Sequence, residues 1–136
     1  MRILYLGDVV GKSGRVALTE KLPALKIKFS IDFVVVCGEN AAHGFGITEK
    51  ICVSFFNSGV DVITLGNHAW DQREIINYIR RESRLLRPLN YPEGTVGQGF
   101  GVYQTSKGKR VAVCQIMGKL FMKHKVLDPF NVLDKY

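Results

Sequence analysis

Three short apolar runs recur in the first half of the chain, and each is followed by a segment whose apolar residues have helical spacing. The runs occupy residues 3–6, 31–37 and 60–65. The second run is almost continuously apolar and rich in valine, as expected for a strand buried on both faces of a parallel sheet. Alternation of such strands with helices predicts an α/β fold with parallel strands and crossover helices.

The segments after these runs carry helix signals. Apolar spacing predicts helices over residues 15–28, 49–57 and 71–81. Thr48 is suited to cap the second helix, Gly59 to end it, and Asp71 to cap the third. Pro23 lies inside the first predicted helix, where a proline removes a backbone hydrogen bond and favours a kink.

The pattern changes after residue 87. Prolines and glycines there predict loops, and residues 100–105 and 110–115 then predict a β-hairpin that turns at Lys107 and Gly108. No domain linker is visible, so we treat residues 1–136 as one domain.

The last stretch, residues 117–136, has no clean period. Residues 120–122 suggest the start of a helix that Pro129 would end. Several apolar side chains there have no obvious partner in the pattern: Leu127, Phe130, Val132 and Leu133. They pack on the sheet or on another chain, or they belong to a fold that continues beyond this sequence.

A glycine and then a polar side chain follow each of the three predicted parallel strands. The polar residues are Asp8 after the first strand, Glu39 and Asn40 after the second, and Asn67 and His68 after the third. Parallel strands joined by crossover helices present their carboxyl ends at one edge of the sheet. We therefore expect these five side chains to converge.

Carboxylates, amides and an imidazole together suit divalent metals, and the lack of cysteine ligands favours Mn²⁺, Fe or Zn²⁺. The three cysteines, Cys37, Cys52 and Cys114, are odd in number and widely separated, which predicts neither a disulfide framework nor a cysteine zinc site. Polar residues at strand ends also serve as helix caps and turn residues in any α/β protein. That alternative stays open for each turn taken singly.

Composition narrows the class of protein. With 46% hydrophobic and 23% charged residues, the chain is typical of a globular protein rather than a disordered one. Its apolar runs are too short for a membrane helix, and Asp8 interrupts the N-terminal one, so we expect a cytoplasmic protein. A net charge of +7 favours anionic partners such as nucleotides, phosphate esters or RNA. Two basic clusters form either a solvated face or an RNA footprint: the arginines at 80, 81, 84 and 87, and Lys119, Lys123, His124 and Lys125.

The sequence argues against two nucleotide-binding motifs. The stretch LGDVVGKS is one residue short of a P-loop, because the first required glycine falls on Leu6, and Asp8 places an anion where phosphate would bind. Gly11 and Lys12 either face a substrate phosphate or shape the turn. The G-x-G-x-x-G turn of dinucleotide-binding domains is also missing from the first strand–helix unit.

Four longer motifs carry a family resemblance: GDVVGKSGR, GENAAHGFGIT, GVDVITLGNHAWD and RLLRPLNYPEGTVGQGF. In order and spacing they closely resemble the N-terminal half of the bacterial calcineurin-like metallophosphoesterases of the YmdB type. The resemblance spans residues 1 to about 116 and leaves 117–136 as a poorly matched tail. It implies a four-layered α/β sandwich, a centre of two metal ions, most often iron, and phosphodiesterase activity on 2′,3′-cyclic nucleotides.

The resemblance also implies a role for each residue at the strand ends. Asp8 and Asn40 would hold one metal ion, Glu39 would bridge both, and Asn67 would hold the second. His68 would act as the proton donor, which suits an imidazole whose pKa lies near neutrality.

Members of this family take further metal ligands from a C-terminal half, a lone histidine and a G-x-H-x-H-like element, and neither is in this sequence. The other histidines, His43 and His124, lack the right context. We therefore expect an N-terminal portion that is inactive alone and is completed by a C-terminal-half chain or by a second copy. The alternative is a non-catalytic remnant or a module that binds RNA or a nucleotide.

Overall fold

The computed structural model of the chain describes residues 1–122 and 125–136. Strands and helices alternate through its first part, which confirms the predicted α/β fold. In chain order the elements are β1 (Ile3–Leu6), α1 (Gly11–Phe29), β2 (Phe33–Cys37), α2 (Glu49–Asn57), β3 (Val62–Thr64), α3 (Ile75–Ile79), β4 (Leu85–Leu86), β5 (Phe100–Gln104), β6 (Arg110–Cys114) and α4 (Pro129–Leu133).

The first four strands form one parallel sheet in the order β1-β2-β3-β4. Tyr5 lies opposite Val35, and Val36 lies opposite Ile63. Strands that are adjacent in the sheet are also successive in the chain. Right-handed crossover connections between such strands place their helices on the same face of the sheet. All four carboxyl ends therefore share one edge of the sheet.

Side chains of β2 alternate between two apolar cores. Val34 and Val36 point to the first face and join the buried residues of the helices. Phe33 and Val35 point to the second face and pack with the hairpin formed by β5 and β6. Because successive side chains of β2 point to opposite faces, the sheet packs against the helices on one face and against the hairpin on the other. The result is three layers: helices, parallel sheet and hairpin.

Helix α1 begins earlier than predicted, at Gly11, and continues through Pro23 to Phe29. Leu18 and Leu22 lie buried on its inner side. Burying one large apolar side chain stabilises the fold by about 1.5–3 kcal/mol, which is comparable to the cost of an interior proline. The helix therefore forms despite Pro23.

Helix α2 has the predicted bounds. The Thr48 hydroxyl accepts a hydrogen bond from the Ile51 N–H, as an N-cap does. Gly59 follows the helix with a φ of 98°, a conformation that favours glycine.

The third predicted helix is wrong at its start. Helix α3 comprises only Ile75–Ile79, and Asp71 does not cap it. The Asp71 carboxylate instead contacts the ring of His68. The Asp71 side chain therefore bonds a ring three residues earlier in the same loop, rather than the helix end that the local pattern assigns to it.

The hairpin is confirmed, with Val102 opposite Ala112 and a positive φ at Gly108 in the turn. The strand β4 is a two-residue element that the sequence analysis does not predict. Its Leu86 joins the core between sheet and hairpin.

The C-terminal stretch differs from the prediction. Leu120 and Phe121 form a turn rather than a helix start, and the remainder of that predicted helix includes Lys123 and His124, which lie outside the described residues. Pro129 begins α4 instead of ending a helix, because a fixed φ and a missing N–H suit the first helical turn.

Of the four apolar residues without a predicted partner, Val132 is buried and Leu127, Phe130 and Leu133 are exposed. No helix in the described parts of the chain is long and apolar enough to cross a lipid bilayer.

Candidate metal centre

The loops after β1 and β2 are tied together by their backbones at the carboxyl edge of the sheet. The Val9 N–H donates to the Cys37 carbonyl at 3.3 Å, and the Gly11 N–H donates to the Asn40 carbonyl at 3.0 Å. Gly11 has a φ of 57°, so it shapes the turn into α1.

The first contact between predicted ligands joins Asp8 to Asn40. The Asn40 Nδ2 donates to Asp8 Oδ2 at 2.7 Å. Asp8 is exposed and Asn40 is half-buried. The two residues that the resemblance assigns to one metal ion therefore lie side by side, and Asp8 Oδ1 stays outside this bond.

A second contact joins Glu39 to the loop after β3. Glu39 Oε2 accepts a hydrogen bond from the His68 N–H at 3.0 Å. The carboxylate lies directly over Gly66, where a Cβ would stand 2.6 Å from Oε2 and closer still to Oε1. Gly66 is thus required for Glu39 to lie across the third loop.

The His68 ring has defined neighbours on two sides. Its Nδ1 lies 2.6 Å from Asp71 Oδ2, and the Phe45 ring meets it edge to face at 5.2 Å. With Nδ1–H donated to the carboxylate, Nε2 faces away from Asp71 and is open to a proton transfer. Asp71 is the site residue that the sequence analysis missed, since an aspartate before a helix has the appearance of a cap.

Asn67 follows β3 by three positions and is half-buried. Within residues 1–122 and 125–136 its amide has no hydrogen-bond partner, so the side chain is available to a ligand. His43 is exposed on the loop after β2, and His124 is outside the described residues. The structure therefore brings Asp8 to Asn40 and Glu39 to His68 by direct contact, and places Asn67 on the same edge.

The edge of the sheet carries negative charge. Burial, followed by the charges of Asp8 and Glu39, raises the pKa of the Cys37 thiol to about 11. The pKa of Tyr91 is raised by burial and then by Glu39 and Asp71. Neither Asp8 nor Glu39 forms an ion pair with a lysine or arginine in the described part of the chain. Unpaired carboxylates at one rim favour a bound cation.

A family profile described as YmdB-like protein matches residues 4–136. The chain belongs to the YmdB-like family. The resemblance drawn from the four motifs is thereby confirmed.

Two relatives by sequence have names that state an activity. The chain is 47% identical over 135 residues to the 2′,3′-cyclic-nucleotide 2′-phosphodiesterase of Bacillus subtilis, covering 99% of this chain and 50% of that protein. It is 34% identical over 138 residues to a putative phosphatase/phosphodiesterase of Mycoplasma pneumoniae, covering 98% of this chain and 49% of that protein.

Two solved structures share the fold. A hypothetical protein from Thermus thermophilus gives a TM-score of 0.91 at 39% identity, over 99% of this chain and 52% of that one. A phosphatase from Mycoplasma pneumoniae gives 0.89 at 33% identity, over 98% and 49%. The chain therefore spans about half the length of the relatives it matches.

The donor set fits metal binding by its chemistry, because two carboxylates and two amides supply the oxygen ligands that hard and borderline ions prefer. It is also sparse. Among the residues with a described position, no three His, Cys, Asp or Glu side chains come together as a metal site. The metal role of Asp8, Glu39, Asn40 and Asn67 stays a prediction.

Proposed function

We propose that this YmdB-like chain carries the N-terminal part of a metal-dependent phosphodiesterase centre that acts on 2′,3′-cyclic nucleotides. The observation that carries the proposal is the pair of carboxylates, Asp8 and Glu39, which converge at one edge without a basic partner. The names of the Bacillus and Mycoplasma relatives support the reaction class.

In this proposal Asp8 and Asn40 would hold one metal ion, Asn67 would hold a second, and Glu39 would be shared by both. Iron is the preferred metal, with manganese or zinc as alternatives. The ions would supply Lewis-acid stabilisation of the charge on the phosphate ester.

His68 would donate a proton to the leaving alkoxide. Asp71 fixes the ring through Nδ1, so Nε2 is the atom that holds the transferable proton. Glu39 accepts a hydrogen bond from the His68 N–H. This bond fixes the backbone of His68 relative to the proposed bridging carboxylate. Proper placement matters here, because a displacement of about 1 Å at such a site can lower a rate about 100-fold.

Four side chains from one edge give two ions few protein ligands. We therefore propose that activity requires further ligands, from a chain that carries the C-terminal half or from a second copy. Without them, each ion would be held mainly by water, and metal affinity would be low.

Metal binding tests the proposal directly. Titration of the purified chain with Mn²⁺, followed by calorimetry, should give saturable binding that falls about tenfold or more in Asp8→Ala. Glu20 provides the matched control, because it is an exposed carboxylate on α1. If Glu20→Ala weakens binding as much as Asp8→Ala does, the ions are held by general surface charge and the proposed site is wrong.

Hydrolysis is the second measurement. Adenosine 2′,3′-cyclic phosphate should be turned over in the presence of Mn²⁺ or Fe²⁺ once the missing ligands are supplied. Robust turnover by the 136-residue chain alone would refute the requirement for further ligands.

An RNA-binding module is the second candidate, and the charge of +7 favours it. Its arginine cluster, however, is largely engaged within the fold. Arg81 pairs with Glu49, and Arg84 pairs with Glu82 at 2.8 Å. Arg87 is half-buried and donates to backbone carbonyls of residues 88, 89, 95 and 96. An electrostatic RNA binder should lose affinity steeply with salt and be indifferent to Asp8→Ala.

A further inference from the structure

Phe45 is an exposed aromatic side chain directly beside the proposed proton donor. Its side chain and backbone together are 58% exposed, although large aromatic residues usually lie inside. The ring is 5.2 Å from the His68 ring, at an interplanar angle of 82°. An open aromatic surface therefore adjoins His68.

The loop that carries Phe45 is held in place by its backbone. The Gly44 N–H donates to the Asn40 carbonyl at 3.0 Å, and the Phe45 N–H donates to the Ala42 carbonyl at 3.0 Å. Gln72 Nε2 donates to the Phe45 carbonyl at 2.8 Å. The backbone from which the ring projects is therefore fixed by contacts that do not involve the ring.

The two glycines beside Phe45 allow this arrangement. Gly44 and Gly46 have φ values of 92° and 76°, which other residues rarely adopt. A Cβ at Gly46 would stand 3.0 Å from the Gln72 backbone nitrogen and 3.2 Å from the His68 carbonyl oxygen. The loop is thus pressed against the segment that contains His68, which brings the ring to it.

We propose that Phe45 is the stacking surface for the nucleobase of the substrate, an inference that rests on the proposed phosphodiesterase function. In a 2′,3′-cyclic nucleotide the ribose carries the phosphate on one side and the base on the other. When the leaving oxygen is at His68, the base lies within one sugar of it, and the Phe45 ring is an exposed aromatic group within that reach. Stacking accepts any base because every base has a π face, so Phe45 would select nucleotides over simple phosphate esters.

Binding of two ligands separates base recognition from phosphate recognition. The probes are adenosine 2′,3′-cyclic phosphate and inorganic phosphate, each titrated by calorimetry into the Mn²⁺-loaded chain. The informative quantity is the Kd of phosphate divided by the Kd of the cyclic nucleotide. In Phe45→Ala this ratio should fall by about 5-fold to about 150-fold, the range measured for loss of one stacked base.

Phe29 offers a matched control. It is also an exposed phenylalanine, at 46%, but it ends α1 at the opposite edge of the sheet, where its carbonyl accepts from Arg2. Phe29→Ala should leave the ratio unchanged. Phe45→Trp, which keeps an aromatic face, should preserve most of it.

An unchanged ratio in Phe45→Ala would overturn the base-stacking inference. If both affinities fall together, Phe45 supports the loop, and if neither falls, the base binds elsewhere. These outcomes leave the phosphodiesterase proposal standing, since metal-dependent phosphate binding is its own readout. A chain that binds neither probe in the presence of Mn²⁺ would overturn both proposals.

Discussion

Gly66→Ala is the substitution that tests the position of Glu39 most directly. A Cβ at residue 66 would stand 2.6 Å from Glu39 Oε2, whereas ordinary van der Waals contact begins at 3.4 Å. The carboxylate must therefore move by about 1 Å, because it lies within the repulsive range of the new methyl group. That movement breaks or lengthens its 3.0 Å hydrogen bond from the His68 N–H.

The expected loss of stability is moderate. Overpacking a tight site destabilises by about 1–3 kcal/mol. Glu39 is half-buried and can turn towards water, so the lower end of that range applies. Metal binding should suffer more, because Glu39 is the proposed bridge between the ions, and we expect Mn²⁺ affinity to fall about tenfold or more.

Urea unfolding followed by circular dichroism measures the first quantity, and calorimetric titration with Mn²⁺ measures the second. Gly118→Ala is the control, because a Cβ at Gly118 would meet no atom within 4 Å. Full Mn²⁺ affinity in Gly66→Ala, together with lowered stability, would show that Glu39 is displaced without being a ligand. Unchanged stability together with unchanged Mn²⁺ affinity would refute the close approach of Glu39 to Gly66.

Two further predictions concern the frame around the site. Asn90 is fully buried and makes three side-chain hydrogen bonds to the C-terminal segment, two of them to Met117, so Asn90→Ala should lower the free energy of unfolding by about 2–4 kcal/mol. The exposed Asn131→Ala is its control in urea unfolding, and equal effects would contradict the argument. A hydrogen bond from Lys107 lowers the pKa of Asp32, so the ionised carboxylate stabilises the fold above about pH 4 and loses that effect as pH falls through the lowered pKa. Asp32→Asn should therefore lower the urea midpoint at pH 7 but not at pH 2, and a constant difference at both would refute it.

The strand ends could be predicted from the sequence because their information is local. An apolar run, a glycine and a ligand-type side chain are visible at Asp8, Glu39 and Asn67. Parallel connectivity then places these loops at one edge whatever the details of packing. The same holds for Thr48, whose capping bond spans only three residues.

Other features could not be predicted from local patterns. Asp71 contacts His68, only three residues away, but its place before a helix fits a helix cap equally well. The strand β4 is only two residues long, which is too short for an apolar pattern to predict it. It is defined by its pairing with β3. Asn90 is an ordinary loop residue in sequence, and its role appears only when residues 117 and 127 pass beside it. Pro129 follows Asp128, whose side chain caps α4, so it begins a helix at the place where the sequence analysis predicts an end.

The exposure of Asp8 has an energetic consequence for the Asp8→Ala variant. In the metal-free chain the substitution removes one hydrogen bond to Asn40, which at an exposed position costs about 1 kcal/mol or less. The stability of the metal-free variant should therefore lie close to that of the parent. Bound metal alters the balance, since a ligand at 100 times its Kd stabilises the folded state by about 2.7 kcal/mol. The parent should therefore gain stability on addition of Mn²⁺ and the variant should gain much less. Equal gains would mean that the ions bind without Asp8, and a large loss in the metal-free variant would mean that Asp8 serves the fold rather than the site.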